Sequence, residues 1–200
     1  MSSLSLAVKN LVKDLKELNI RFAFVGALAM GARGRTRQTI DADLAISTGS
    51  NQLAEKLIEQ LVLKGYGVNE IYKDGEIIAL ARLFSKDDYS SLIELDFLFE
   101  LCGIEKEVVD SAEELEIWPG LTVAIATMPA LLAMKARCQE LPERIQDKAD
   151  LVNQLIPFAS ESDLDQAREL IKLIETRGFN EGRKILSAFN QLVEHVKKHK

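Results

Sequence analysis

Apolar positions recur along this chain with two periods, and those periods divide it into elements. Between residues 2 and 18, Leu4, Val8, Leu11, Leu15 and Leu18 step by four, three, four and three, the spacing of one buried helix face. Lys9, Lys13, Asp14 and Lys16 fall mostly on its outward side. Arg21–Val25 (RFAFV) reads as a short buried strand entering Gly26, and the ALAMGARG that follows fits one or two helical turns. From Thr39 to Ile46 the period becomes two. That alternation predicts a strand burying Ile40, Ala42, Leu44 and Ile46, with Thr39, Asp41, Asp43 and the preceding Arg37 on the opposite face. Thr48–Ser50 supplies a turn and a cap for a helix over Asn51–Lys64, marked by Leu53, Leu57, Ile58 and Leu61 and closed by Gly65.

Tyr66–Tyr72 and Ile77–Phe84 flank Lys73-Asp74-Gly75-Glu76, and Asp-Gly between two β-rich runs predicts a hairpin. SLIELDFLFE, Ser91 to Glu100, alternates again. Ile104–Leu115 is acidic and helix-prone, its acids reading as a water-facing surface without a strand to organise them. Trp118-Pro119-Gly120 punctuates, Leu121–Ala126 reads as a short buried strand, and Thr127 caps a helix over Met128–Cys138 with Pro129 in its first turn. Helical patterns then cover about 144–156, 161–177 and 180–197, broken near Pro157 and Gly178. The fold class expected is α+β: a mixed β-sheet packed with helices over residues 1–126, then a C-terminal helical bundle over 127–200 packed on it.

The chemistry concentrates at Arg37–Leu44 (RQTIDADL). Two ionised carboxylates about 4 Å apart repel by roughly 4 kcal/mol at an effective dielectric near 20. Solvation, protonation of one partner, or a divalent cation can offset that repulsion, and the pair alone does not choose among them. A glycine at a strand-to-helix junction, as at Gly26, lets a phosphate approach the backbone; the plain alternative is an ordinary tight turn. In SLIELDFLFE, Glu94 and Asp96 share the polar face, and either could become a third carboxylate beside Asp41 and Asp43 if the strands are neighbours.

Together these residues resemble the nucleotidyltransferase superfamily that includes DNA polymerase β, and within it the AbiEii-like type IV toxin nucleotidyltransferases. The shared block reads hydrophobic-Gly…Gly-x-x-Arg-x-Thr-x-Asp-x-Asp-Leu, met here by Val25, Gly26, Gly34, Arg37, Thr39, Asp41, Asp43 and Leu44. A second block, Leu131–Leu151, is similar to that group's Lys-then-Arg-x-x-Asp-x-x-Asp-Leu segment through Lys135, Arg144, Asp147 and Asp150. The family's second glycine or serine is Ala27 here, which keeps a backbone N–H for phosphate but offers no hydroxyl. The resemblance spans about Phe22–Leu151.

The resemblance implies a metal-dependent transfer of a nucleoside monophosphate from a nucleoside triphosphate such as ATP to an acceptor hydroxyl. Asp41, Asp43 and Asp96 would serve as metal ligands and catalytic residues for Mg²⁺ or Mn²⁺. Gly26, Ala27, Arg37, Thr39, Lys135 and Asp147 would bind the nucleotide. The acceptor could be RNA, notably tRNA, or protein or a small molecule, and a toxin role would bring a cognate antitoxin as partner. A catalytically weak or inactive fold that binds another protein is the alternative, motivated by Ala27. A metal-dependent nuclease ranks third, since its aspartates need no phosphate-binding glycine turn.

Composition narrows the picture further. Two hundred residues at 47% hydrophobic content suit one globular unit or a compact pair. Cys102 and Cys138 form no Cys-x-x-Cys and read as thiols in a reducing cytoplasm. The chain carries no run of eighteen apolar residues and no leader pattern, so a cytoplasmic protein without a membrane span is expected. A net charge of −6 argues against broad charge-driven binding to duplex nucleic acid, although Arg33, Arg35 and Arg37 sit close to the carboxylates in sequence. His195 and His199 are four apart in HVKKHK, where solvated terminal histidines are the expectation.

Overall fold

The computed structural model describes residues 2–35, 39–86 and 93–199. The chain divides into two compact units. The first comprises Met1–Leu101 with Glu105–Ala126, and the second Cys102–Ile104 with Thr127–Lys200.

The first unit is built on a seven-stranded sheet in the order β3-β4-β5-β2-β1-β7-β6. Its strands are β1 (Arg21–Phe24), β2 (Ala42–Ser47), β3 (Gly67–Asp74), β4 (Ile77–Phe84), β5 (Glu94–Leu98), β6 (Glu113–Trp118) and β7 (Leu121–Ile125). The sheet is mixed: β1 pairs antiparallel with β2 and parallel with β7, and β2 pairs parallel with β5. Four helices belong to this unit among the described residues: α1 (Ser3–Glu17), α2 (Gly26–Ala32), α3 (Asn51–Leu63) and α4 (Glu105–Asp110). Leu11, Leu15, Phe24, Met30, Leu44, Ile46, Leu57, Leu61, Leu83, Leu95 and Phe97 are fully buried and form the core. These are largely the positions that the two periods mark.

Several expectations are corrected. The aspartate strand begins at Ala42 rather than Thr39, and Ile40, expected in the core, is 82% exposed. The cause is local: the Thr39 hydroxyl hydrogen-bonds the Asp41 carboxylate and carbonyl, a side-chain turn that competes with strand pairing. Asp14, placed outward by the helical spacing, is buried, because Lys64, Lys86 and Tyr66 converge on its carboxylate at 3.1, 2.6 and 2.8 Å. The acidic run expected as one helix is α4 followed by strand β6, with Glu113, Glu114 and Glu116 on the sheet's edge. An edge strand tolerates such charges because its outer side meets water.

The second unit is helical: α5 (Met128–Cys138), α6 (Ile145–Asp150), α7 (Glu161–Thr176) and α8 (Ile185–Lys198). Leu131, Leu132, Leu164, Ile171, Ile174, Ile185 and Phe189 make its core. Ser160 and Asp163 form a reciprocal cap at the start of α7, each side chain bonding the other's backbone N–H at 3.1 and 2.8 Å. The single helix expected over 144–156 is instead a chain of short pieces: a 3₁₀ turn at Pro142–Arg144, α6, a wide π turn at Leu151–Leu155 and a second 3₁₀ turn at Ile156–Phe158. Pro157 lacks the N–H needed to continue an α-helix through this point. Helix α8 starts at Ile185 rather than near 180.

Candidate active site

Gly26 adopts φ +61, a conformation that L side chains rarely take, and it joins the end of β1 to α2. The backbone N–H of Val25 donates to the Asp43 carbonyl at 2.9 Å, which draws this junction onto β2. The Asp43 carboxylate then lies against the glycine. A Cβ built on Gly26 would fall 2.0 Å from Asp43 Oδ2 and 2.8 Å from its Cγ, so no other residue fits there without moving the aspartate.

Beyond Asp43 the polar face continues as a row. Asp43 is the register partner of Asp96 on β5, Asp96 of Arg82 on β4, and Arg82 of Glu70 on β3. Register partners share a face of the sheet, and neighbouring strands lie about 4.8 Å apart. Carboxylates from two separate segments are therefore side by side, with Asp41 two residues before Asp43 and Glu94 two before Asp96.

Arg82 is the residue that the sequence reading missed. Its Nε and Nη2 donate to Asp96 Oδ1 and Oδ2 at 2.7 and 2.8 Å, a two-point pair. Its guanidinium also lies 3.6 Å from Glu70 and 3.7 Å from Glu94. These hydrogen bonds to Asp96 raise the guanidinium above the ordinary arginine range, outweighing partial burial. The signal was present in IIALARLF as one charge inside an otherwise apolar strand.

The remaining predicted positions divide between the two units. Ala27 is buried in the first turn of α2, and Thr39 is bonded to Asp41. Arg37 lies outside the described residues, as do residues 87–92; Lys86 before them turns to Asp14. In the second unit Lys135 Nζ bonds Asp147 Oδ1 at 2.6 Å and Asp150 Oδ2 at 2.7 Å, and Arg144 bonds Asp147 Oδ2 at 2.6 Å. Burial alone would push the Asp147 carboxyl up, but Lys135 and Arg144 together hold it below its ordinary value of 3.8. Cys102 and Cys138 are buried, and neither forms a disulfide. The His195 and His199 rings lie with centroids 4.4 Å apart and planes tilted by 37° at the exposed end of α8.

Among the described residues, no three His, Cys, Asp or Glu side chains gather as a ready metal site. In kind, the donors on the polar face do fit a hard divalent cation. They are carboxylate oxygens only, on neighbouring strands, and carry more negative charge than Arg82 balances. What keeps Asp96 from an immediate place in such a set is that both of its oxygens are bonded to Arg82.

No family model matches the chain, and no curated protein is similar to it in sequence. Solved structures are similar in fold. The crystal structure of ANT(2'')-Ia in complex with adenylyl-2''-tobramycin aligns with a TM-score of 0.54 at 15% identity, covering 96% of this chain and 98% of that one. The chain has the nucleotidyltransferase fold. Two further nucleotidyltransferase structures align more loosely: the solution structure of ANT(2'')-Ia, with a TM-score of 0.49 at 16% identity over 97% and 95% of the two chains, and the lincosamide antibiotic adenylyltransferase LnuA, lincomycin-bound, at 0.42 and 11% over 85% and 95%. Among the described residues, no helix is long and apolar enough to cross a membrane.

Proposed function

We propose that this protein transfers a nucleoside monophosphate from a nucleoside triphosphate to an acceptor hydroxyl. The observation that supports this reading most strongly is the seating of Asp43 between the backbone of Gly26 and the neighbouring Asp96. It puts a carboxylate pair at a strand-to-helix turn that only glycine can make. Asp41, Asp43 and Asp96 would hold Mg²⁺ or Mn²⁺, which when bound acts as a Lewis acid toward the phosphoryl oxygens.

The chain's own groups have defined tasks in this reading. The backbone N–H groups of Gly26 and Ala27 face a phosphate, and Arg37 offsets its charge. Thr39 fixes the Asp41 carboxylate. The acceptor oxygen forms a bond to the α-phosphorus while the bond from that phosphorus to the bridging oxygen breaks and pyrophosphate leaves. The acceptor proton passes to Asp96 or to a water that Asp96 orients. We assign Lys135 and Asp147 to holding the second unit together rather than to the nucleotide, because the lysine's charge is already met by two carboxylates.

The acceptor is RNA, protein or a small molecule with a free hydroxyl, and the resemblance to AbiEii-like toxins adds a cognate antitoxin as a partner. A second reading, a fold kept for binding another protein without catalysis, draws support from the bonding of both Asp96 oxygens to Arg82. The test is incubation of purified protein with each labelled triphosphate, Mg²⁺ and RNA, protein and small-molecule fractions. Transfer is expected with wild type and at least a hundredfold less with Asp43→Asn or Asp41→Asn, on the order of a lost charge-stabilising group. Transfer that persists in both variants refutes the assigned roles. An intact fold with no Mg²⁺-dependent nucleotide binding by calorimetry favours the binding module.

A further inference from the structure

Arg82 stands in the polar row where the site needs positive charge, yet nothing in the proposed transfer uses it. The guanidinium approaches Asp96 from the β4 side and occupies both carboxylate oxygens, while Asp43 flanks Asp96 from the β2 side. Asp96 is largely buried, its side chain 13% exposed, so its charge is not left to water. Carboxylates on three strands face the same region: Glu70 on β3, Glu94 and Asp96 on β5, and Asp43 on β2. On β4 between them, Arg82 is the fixed cation. Its neighbours Ala81 and Leu83 point to the other face and are buried, so the strand's one polar side chain is given to this contact.

We infer that Arg82 is a positioning residue that serves as the site's resident countercation. It orients Asp96 and lowers the repulsion between Asp96 and Asp43 until a divalent cation takes that carboxylate over. The inference rests on the proposed transfer reading, because it supposes that Asp96 is a metal ligand. Its consequence is competition: each Asp96 oxygen given to a cation must first leave a guanidinium hydrogen bond, and the positive charge of Arg82 opposes the incoming ion. Free protein therefore binds a divalent cation more weakly than its carboxylates alone would allow.

The probe is Mn²⁺ binding to nucleotide-free protein, followed by the electron paramagnetic resonance of free Mn²⁺, for wild type, Arg82→Gln, Arg82→Lys and Asp43→Asn. Thermal unfolding checks that each variant is folded. Arg82→Gln is expected to bind Mn²⁺ about tenfold more tightly than wild type, the scale of removing one nearby unit charge in a partly hydrated site. Arg82→Lys, which keeps the charge but not the two-point fork, should fall between them. A purely structural cross-strand pair predicts unchanged or weaker binding in both variants, and that result overturns the inference while leaving the transfer reading intact. If Arg82→Gln does not fold, the lysine variant decides alone. Absence of Mn²⁺ binding by every form, or binding unaffected by Asp43→Asn, instead removes the transfer reading and this inference with it.

Discussion

Substituting Gly26 with alanine separates the site's geometry from ordinary backbone strain. Gly26 has φ +61, where a non-glycine residue costs about 1–2 kcal/mol. The added methyl would also sit 2.0 Å from Asp43 Oδ2, well inside the 3.5–4.0 Å optimum for neighbouring atoms. The carboxylate must therefore swing aside by on the order of 1 Å, and a displacement of that size at a reacting centre costs about a hundredfold in rate. Gly49 provides the control, with φ +74 and nothing within 4 Å of its would-be methyl. Chemical denaturation should show Gly49→Ala losing only the backbone cost. Gly26→Ala should lose that and more, with nucleotidyl transfer down about a hundredfold. Adding Asp43→Ala removes the colliding atoms, so the stability cost of Gly26→Ala should shrink toward that of the Gly49 control, a coupling readable from a double-mutant cycle. Equal costs with and without Asp43, or transfer by Gly26→Ala within twofold of wild type, would refute the seating of Asp43 on this glycine.

Two other side-chain clusters make predictions about stability. Asp14→Asn replaces the carboxylate that Lys64, Lys86 and Tyr66 bond, and should cost about 2 kcal/mol in urea unfolding, the scale of hydrogen bonds to a buried charge whose lysine partners can still reach water. Lys135→Met leaves Asp147 and Asp150 buried without their shared cation and should cost about 3–5 kcal/mol at pH 7. In wild type the Asp147 carboxyl is held below 3.8; its contribution is complete above that value and is lost as the pH falls through the lower folded-state value. In the methionine variant only the half-exposed Arg144 still opposes the burial of Asp147, so protonation of the folded state is favoured relative to wild type. The stability gap between the two proteins should therefore narrow from pH 7 to pH 4, and a gap that widens would contradict the assignment.

The parts of this fold that could be read from sequence were those set by period. Leu11, Leu15, Leu44, Ile46, Leu57, Leu61, Leu95 and Phe97 lie in the core because burial of one helix stripe or one strand face repeats regularly. The misread parts are those where a side chain competes with the period. Ile40 is apolar and in phase with the strand, yet the Thr39–Asp41 turn ends the pairing before reaching it. Asp14 is charged and was placed outward, but its partners come from residues 64, 66 and 86, which no local pattern links to α1. Glu113–Trp118 carries acids as a helix surface would, and only pairing with β7 makes it a strand.

The same reasoning explains why Arg82 was invisible while Asp41 and Asp43 were conspicuous. An Asp-x-Asp pair declares an unusual charge density within three residues, whereas the row Glu70–Arg82–Asp96–Asp43 collects one residue from each of four strands, and its members become neighbours only through the strand order. That order has a chemical consequence. Parallel pairing of β2 with β5 brings the carboxylates together, and antiparallel pairing of β5 with β4 brings an arginine up to them from the far side. The charge pattern of this face, carboxylates from three strands with Arg82 among them, is thus a property of sheet topology rather than of any motif. On the proposed transfer reading, a chain preserving Asp-x-Asp but lacking an arginine opposite the later aspartate would share this fold while binding divalent cations by a different balance of charge.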